Sequence, residues 1–306
     1  EGDLGFSEAY LESWWSSPDL QAFMDLLNED NDMLYNGFPG MGLARAYERM
    51  RFWLQSNTKA VSKKNISYHY DLGNDFYRLW LDDTMTYSSA LFRTGQESLE
   101  AAQEAKYANM IDQMGAREGD HVLEIGCGWG GFAEYAAGKR GLRVTGLTIS
   151  QEQHDYAVAR IANAGLSDRV EIKLQDYRDE KGTYDGIASI EMFEAVGEKY
   201  WPVYFDKLKA CLKPGCNATL QIITVAEVRW EAYRKGVDFI QKFIFPGGML
   251  PSPAVLRTEV EKAGLRVARS MEFADSYCQT LRRWHDTFNA RWDDVAALGC
   301  DDRFRR

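Results

Sequence analysis

An α/β fold built on a doubly wound, mostly parallel sheet is what this sequence predicts, and three observations predict it. Short apolar runs alternate with helix-like stretches from residue 121 to residue 224. One run, Val122-Leu-Glu-Ile125, feeds directly into the glycine turn Gly126-Cys-Gly-Trp-Gly-Gly131. The turn continues into Phe132-Ala-Glu-Tyr-Ala-Ala-Gly-Lys-Arg140, which can form a helix. Strand, glycine turn and helix start make a site for a nucleotide-like ligand, because glycine lets the backbone approach and free N–H groups face the ligand.

The elements follow in chain order. Residues 6–35 read as two short acidic helices, the second started by Ser16-Ser17-Pro18 with the proline in its first turn. After the break at Phe38-Pro-Gly-Met-Gly42, the residues Leu43, Tyr47, Met50, Trp53 and Leu54 recur at helical spacing, leaving Arg45 and Arg49 on the other side. Residues 68–92 are dense in aromatics (Tyr68, Tyr70, Phe76, Tyr77, Trp80, Tyr87, Phe92), and a helix is expected at 97–114. Strands are expected at 121–125, 142–148, 169–174, 184–190 and 217–224, with helices near 131–139, 151–163 and 200–212. Lys213-Pro214-Gly215 makes the turn before the fifth strand. Residues 226–250 interrupt the alternation and end in the loop Phe245-Pro-Gly-Gly-Met-Leu-Pro251; a helix at 253–264 and a strand near 265–272 then close the sheet.

Composition excludes several classes. The 306 residues suffice for one large domain or a core domain with additions. No stretch reads as a signal peptide and no apolar run is long enough to span a bilayer, so a cytoplasmic protein is expected, one that can still touch a membrane. The ends, Glu1 and Arg306, suggest trimming from a longer protein. Five cysteines without a C-x-x-C pair argue against a disulfide framework or a zinc ribbon, and His69, His121, His154 and His285 lack ligand spacing, so no metal is expected. A net charge of −10 argues against a general nucleic-acid binder. Residues 1–32 carry nine acidic and no basic residues, whereas Arg45, Arg49, Arg51, Lys59, Lys63 and Lys64 face only Glu48 across 41–64. From charge alone, that cluster is either a face for an anionic membrane or a solvated helix surface.

Gly126, Gly128 and Gly131 also satisfy G-x-G-x-x-G, the dinucleotide fingerprint, which expects a carboxylate at the end of the second strand. That strand ends Leu147-Thr-Ile-Ser150 with none. Glu124 stands two residues before the first glycine, and the order Glu-x-Gly-x-Gly resembles motif I of S-adenosylmethionine-dependent methyltransferases.

Further segments occur in a telling order: Tyr68-His-Tyr-Asp-Leu-Gly-Asn-Asp-Phe-Tyr77, Thr84-Met-Thr-Tyr-Ser88, Glu124-Ile-Gly-Cys-Gly-Trp-Gly130, Gly146-Leu-Thr-Ile-Ser150, Met192-Phe-Glu-Ala-Val-Gly197 and Phe245-Pro-Gly-Gly248. Over roughly residues 40–290 the chain resembles the cyclopropane fatty acid synthase family, which includes the mycolic acid cyclopropane synthases. The resemblance implies a Rossmann-like, seven-stranded sheet with an N-terminal helical segment (1–64) that faces a membrane. It further implies a methyltransferase domain (65–306) with a lipid-site insertion at 226–252. It implies S-adenosylmethionine as cofactor, bound by Glu124, with Tyr87 and Ser88 closing over it and Gly126 and Gly128 at its methionine part. Thr148, Ile149, Ser150 and Gln153 would surround the ribose, and Asp176 and Tyr177 the adenine; Ser150 equally suits an N-cap for the helix starting at Gln151.

The implied reaction moves a methyl group to a cis double bond of an acyl chain, usually within a phospholipid, in a tunnel lined by the aromatics of 68–92, Phe239, Phe243 and Phe245. The carbocation left on the chain demands a dry site and a positioned base. Family members hold bicarbonate as that base through a Cys, a Glu, a His, a backbone near an Ile, and a Tyr. Glu194, Ile223 and Tyr277 match three of these; Ser89 stands in place of the Cys and Gln221 in place of the His. An anion or water among these five residues is therefore expected. Glu191 stands where the family often has Gly, able either to bind the cofactor's sulfonium side or to form a local pair. A cyclopropane is the leading product. The altered base site also admits a methyl- or methylene-branched chain or a conjugated-diene substrate. Methylation of a small amine and a non-enzymatic lipid-binding module are further readings. A peripheral association with the inner face of the membrane is expected, and a homo-oligomer is compatible with the sequence.

Overall fold

A computed structural model describes residues 2–29 and 72–306. The expected helix at 43–54, the basic cluster at 41–64, and Tyr68 and Tyr70 lie outside the described residues.

Five strands form one parallel sheet: β1 (His121–Ile125), β2 (Arg143–Thr148), β3 (Val170–Leu174), β4 (Tyr184–Ile190) and β5 (Leu212–Gln221), in the order β3-β2-β1-β4-β5. The apolar run of β1 sits at the centre, where both faces are covered. Leu123 and Ile125 point to one face, against Phe193, Trp201, Tyr204 and Phe205. Val122 points to the other, against Tyr107, Met110, Ile111 and Phe132. The strand order reverses between β1 and β4, and in doubly wound sheets ligands bind beyond the carboxyl ends of the strands at such a switch point. The residues immediately beyond those two ends are Gly126 and Glu191.

In chain order the helices are α1 (Gly2–Leu11), α2 (Leu20–Glu29), α3 (Gly73–Arg78), α4 (Leu99–Met114), α5 (Gly131–Arg140), α6 (Gln151–Asn163), α7 (Trp201–Cys211), α8 (Glu227–Lys235), α9 (Pro253–Lys262) and α10 (Ala274–Ala290). Two short ones follow, α11 (Trp292–Ala297) and α12 (Asp302–Arg305). Ser98 caps α4 by accepting from the Ala101 N–H, and Gly115 closes it in the left-handed conformation. Helix α1 is tied to the 226–252 region by the Glu8–Lys242 ion pair, and Glu12, just after it, pairs with Arg303 near the C-terminus.

Three expectations are corrected. The sheet has five strands among the described residues rather than seven; the expected strand near 265–272 is irregular and carries no ladder. Strand β5 begins at Leu212 and ends at Gln221 instead of running 217–224, because Lys213-Pro-Gly215 is absorbed as a bulge where the β4 pairing jumps from Leu212 to Asn217. Pro18 precedes α2 rather than entering its first turn: the Asp19 carboxylate accepts from the Ala22 N–H and is the cap.

Candidate active site

The glycine turn is shaped by close approach. The Gly126 and Cys127 N–H groups both donate to the Leu147 carbonyl, pinning the turn to the end of β2. Gly126 has φ +83°, and a Cβ there would stand 2.7 Å from the Met192 side chain. Gly128 has φ +51° with open space where a Cβ would be. The turn therefore leaves room for a ligand on one side and touches the segment after β4 on the other. Beneath it, Glu124 is buried and its Oε2 has no hydrogen-bond partner; burial pushes its carboxyl up to about 8. A cationic or N–H-bearing ligand would complete that orphaned oxygen, so these residues fit the ammonium-bearing end of an S-adenosylmethionine.

Beyond β2, Thr148, Ser150 and Gln153 form a local network. Thr148 Oγ1 donates to Gln153 Oε1 at 2.9 Å, and Ser150 Oγ accepts from the Gln153 N–H at 3.3 Å, capping α6. Ile149 lies between them, half-buried. The Asp176 carboxylate is held by Arg178 in an ion pair of 2.6 Å, and Tyr177 packs edge-on to Tyr204. Tyr87 packs against Tyr77, Trp80 and Trp284, and the buried Ser88 accepts from Lys106 Nζ at 2.7 Å. Phe76, Tyr77 and Trp80 join Trp129 and Trp284 in one core cluster, while Phe239 and Phe243 pack on each other at 5.1 Å.

Three of the five residues expected to hold an anion, Ser89, Gln221 and Tyr277, converge on a carboxylate of the chain itself, while Ile223 and Glu194 pair with each other. Glu191 Oε1 accepts from the Ser89 N–H at 2.9 Å and from Gln221 Nε2 at 2.7 Å; Glu191 Oε2 accepts from the Tyr277 hydroxyl at 3.2 Å. Gln221 Nε2 also reaches the Ser89 carbonyl, and the Ser89 hydroxyl turns away to the Ala90 carbonyl. The Ile223 N–H is committed to Glu194 Oε1, and Glu194 Oε2 is buried with no partner. Burial pushes Glu194 up to about 8, with the neighbouring Glu191 adding to the rise. Burial likewise raises Glu191, opposed by the Lys106 charge and by its three donors. Tyr277 is pushed up by burial and then by Glu191, so it remains a donor.

The backbone explains why a glycine suits position 191. Glu191 has φ +48°, a region that costs a non-glycine residue about 1–2 kcal/mol. Three hydrogen bonds to its side chain offset that cost, so the strained residue is held by its function-bearing end. The Phe245-Pro-Gly-Gly248 loop braces the same segment: the Met249 N–H donates to the Glu194 carbonyl at 2.9 Å.

Sequence reasoning named Glu191 without deciding its role and missed Lys106 and Gln103. Both sit on α4 among buried positions, with Ala102 and Met110 at four-residue spacing from Lys106. A lysine and a glutamine on an otherwise apolar helix face were the available signal.

The comparison with known proteins agrees with this architecture. The family described as mycolic acid cyclopropane synthetase matches residues 57–306. The chain belongs to that family of S-adenosylmethionine-dependent methyltransferases. It is 38% identical to the tuberculostearic acid methyltransferase UfaA1 of Mycobacterium tuberculosis, over all of this chain and 73% of that protein. It is 35% identical to the cyclopropane-fatty-acyl-phospholipid synthase of Escherichia coli K12, over all of this chain and 77% of that protein. The solved structure of mycolic acid cyclopropane synthase CmaA1 complexed with SAH and CTAB superposes with a TM-score of 0.74 at 29% identity, covering 79% of this chain and 88% of that one. Family members thus act on lipid chains, and the class I methyltransferase fold holds with five strands among the described residues in place of the expected seven.

Proposed function

We propose that this enzyme transfers the methyl group of S-adenosylmethionine to the double bond of an unsaturated fatty acyl chain on a phospholipid, and that its product is methylene-branched rather than a ring. The observation that carries this reading is the Glu191 carboxylate, which lies among the very donors expected to hold bicarbonate.

When bound, the cofactor supplies an electrophilic sulfonium methyl. The Gly126–Gly128 backbone and Glu124 hold its methionine end, Thr148, Ile149, Ser150 and Gln153 its ribose, Asp176 and Tyr177 its adenine, and Tyr87 and Ser88 close over it. Methylation of the alkene leaves a cation on the neighbouring chain carbon. Aromatic faces of Tyr87 and Tyr277 stabilise that cation in a site kept dry. Glu191 takes the proton. Tethered and weakened by three donors, it is slower than a mobile base to strip the new methyl group. A hydride on the methylated carbon then shifts with its electron pair to the adjacent cation, leaving a tertiary cation. Loss of a methyl proton to Glu191 converts that C–H pair into the C=C bond of a methylene branch. The Ser89 N–H, the Gln221 amide and the Tyr277 hydroxyl are given to Glu191 in this arrangement, and the name of the UfaA1 relative, a tuberculostearic acid methyltransferase, supports methyl transfer to a fatty acid.

Residues 65–306 would be the methyltransferase domain, with 226–252 covering the acyl chain and 1–64 facing the inner leaflet. Among the described residues no helix is long and apolar enough to cross a membrane, so the lipid would be reached peripherally, through the basic cluster at 41–64. Vesicle binding that weakens in high salt, and on charge reversal of Lys63 and Lys64, supports this; salt-independent binding overturns it. The activity itself is tested by expression in a bacterium lacking such enzymes, followed by mass and NMR analysis of its fatty acids. A gain of one CH₂ with the =CH₂ protons of a methylene branch is expected; cyclopropane protons would reject the branched product, and no change in the lipids would reject the substrate.

A further inference from the structure

We propose that Lys106 is a positioning residue that keeps Glu191 in its charged, proton-accepting form, acting through the Ser88–Ser89 loop and through space; this rests on Glu191 being the base. Lys106 lies on α4, is 2% exposed, and donates to Ser88 Oγ at 2.7 Å. One turn away on the same helix, Gln103 Nε2 donates to the Ser88 carbonyl at 3.0 Å. The next residue, Ser89, gives its N–H to Glu191. A single helix face thus fixes the loop that holds the base.

The charge argument is independent of that bracing. The direct partner of this buried ammonium is a neutral hydroxyl, and burial pushes its pKa down to about 7, with the nearby carboxylates opposing that fall. Of the carboxylates around it, Glu191 acts on it most strongly, followed by Asp82 and Glu124. Asp82 is already satisfied on one oxygen by Thr84, and Glu124 also feels Arg160. The groups facing Glu191 from the other elements are Tyr277 on α10 and Gln221 on β5, both uncharged donors, and the repelling Glu194 on its own segment. Lys106 is therefore the cation that favours a negative Glu191 against burial and against Glu194. The Tyr107 ring, 5.0 Å from Nζ, adds a cation–π contact that favours the charged form of Lys106.

The test compares Lys106→Met and Lys106→Arg in the full chain, read by two signals. The first is the pH profile of kcat/KM. A lost counter-charge raises the Glu191 pKa, so the acid limb of the Lys106→Met variant should move up by about one pH unit, roughly tenfold in rate below it. The second is the infrared carboxyl band of ¹³C-glutamate protein without substrate. Relative to wild type, whose Glu124 and Glu194 already contribute neutral carboxyls, an additional neutral carboxyl should appear at pH 7 in Lys106→Met and be missing from the Lys106→Met, Glu191→Gln double variant. Lys106→Arg should keep the wild-type behaviour in both. A uniform loss of activity at every pH, with an unchanged carboxyl titration, would reduce Lys106 to a loop brace and overturn the proposal. Lys106→Gln serves if the Met variant does not fold. Wild-type turnover by Glu191→Gln alone would strike the base assignment instead, leaving the infrared titration to judge the hold of Lys106 on Glu191.

Discussion

Glu124, buried on β1, and Glu191, half-buried just past the neighbouring β4, are two carboxylates with opposite surroundings. Glu124, on β1 below the glycine turn, keeps one oxygen without a partner. Glu191, just past β4, has both oxygens occupied by groups of the chain itself, and its backbone is bent into a region that favours glycine. An unfinished carboxylate marks a socket that a ligand completes. A finished one, held under strain, marks chemistry that the protein supplies from its own chain.

That contrast can be broken by substitution, starting with the largest effect. Glu191→Gln should lower kcat by about 10³-fold, within the range typical of general-base removal, while calorimetry finds cofactor binding nearly unchanged. Glu124→Gln should do the reverse: cofactor affinity falls about tenfold, worth about 1.4 kcal/mol, with kcat at saturation within a few-fold of wild type. If both substitutions acted on the same parameter, the division of labour between the two carboxylates would be wrong. Tyr277→Phe removes one donor to the Glu191 carboxylate, which raises its pKa, so the acid limb of the pH–rate profile should move to higher pH with a loss of about three- to tenfold near neutrality. Ser89→Ala should cost less than about twofold in rate, because the Ser89 hydroxyl donates to the Ala90 carbonyl and only the N–H of the residue reaches Glu191.

The same contrast describes what the sequence disclosed. The glycine turn, the strands that carry it and the cap at Ser150 were legible because they depend on local spacing and backbone geometry. The helix at Gln151–Asn163 was placed to the residue, since its cap and its periodic face are both contiguous in sequence. The base pocket was only half legible. Ser89, Gln221 and Tyr277 are recognisable one by one, yet what they hold is decided by contacts spanning 30 to 102 positions. Lys106 was hidden for the same reason: its role depends on a loop and a strand far from α4 in sequence. The bulge at 213–216 was misread as a turn because Pro-Gly signals both.

The built-in base is tested most directly by turnover in buffer stripped of carbon dioxide and bicarbonate. The wild type should run at full rate there, and Glu191→Gly, which removes the side chain at a position whose φ suits glycine, should be inactive until bicarbonate is added back. A wild-type enzyme that stalls without bicarbonate and recovers on its return would show that Glu191 is not the proton acceptor.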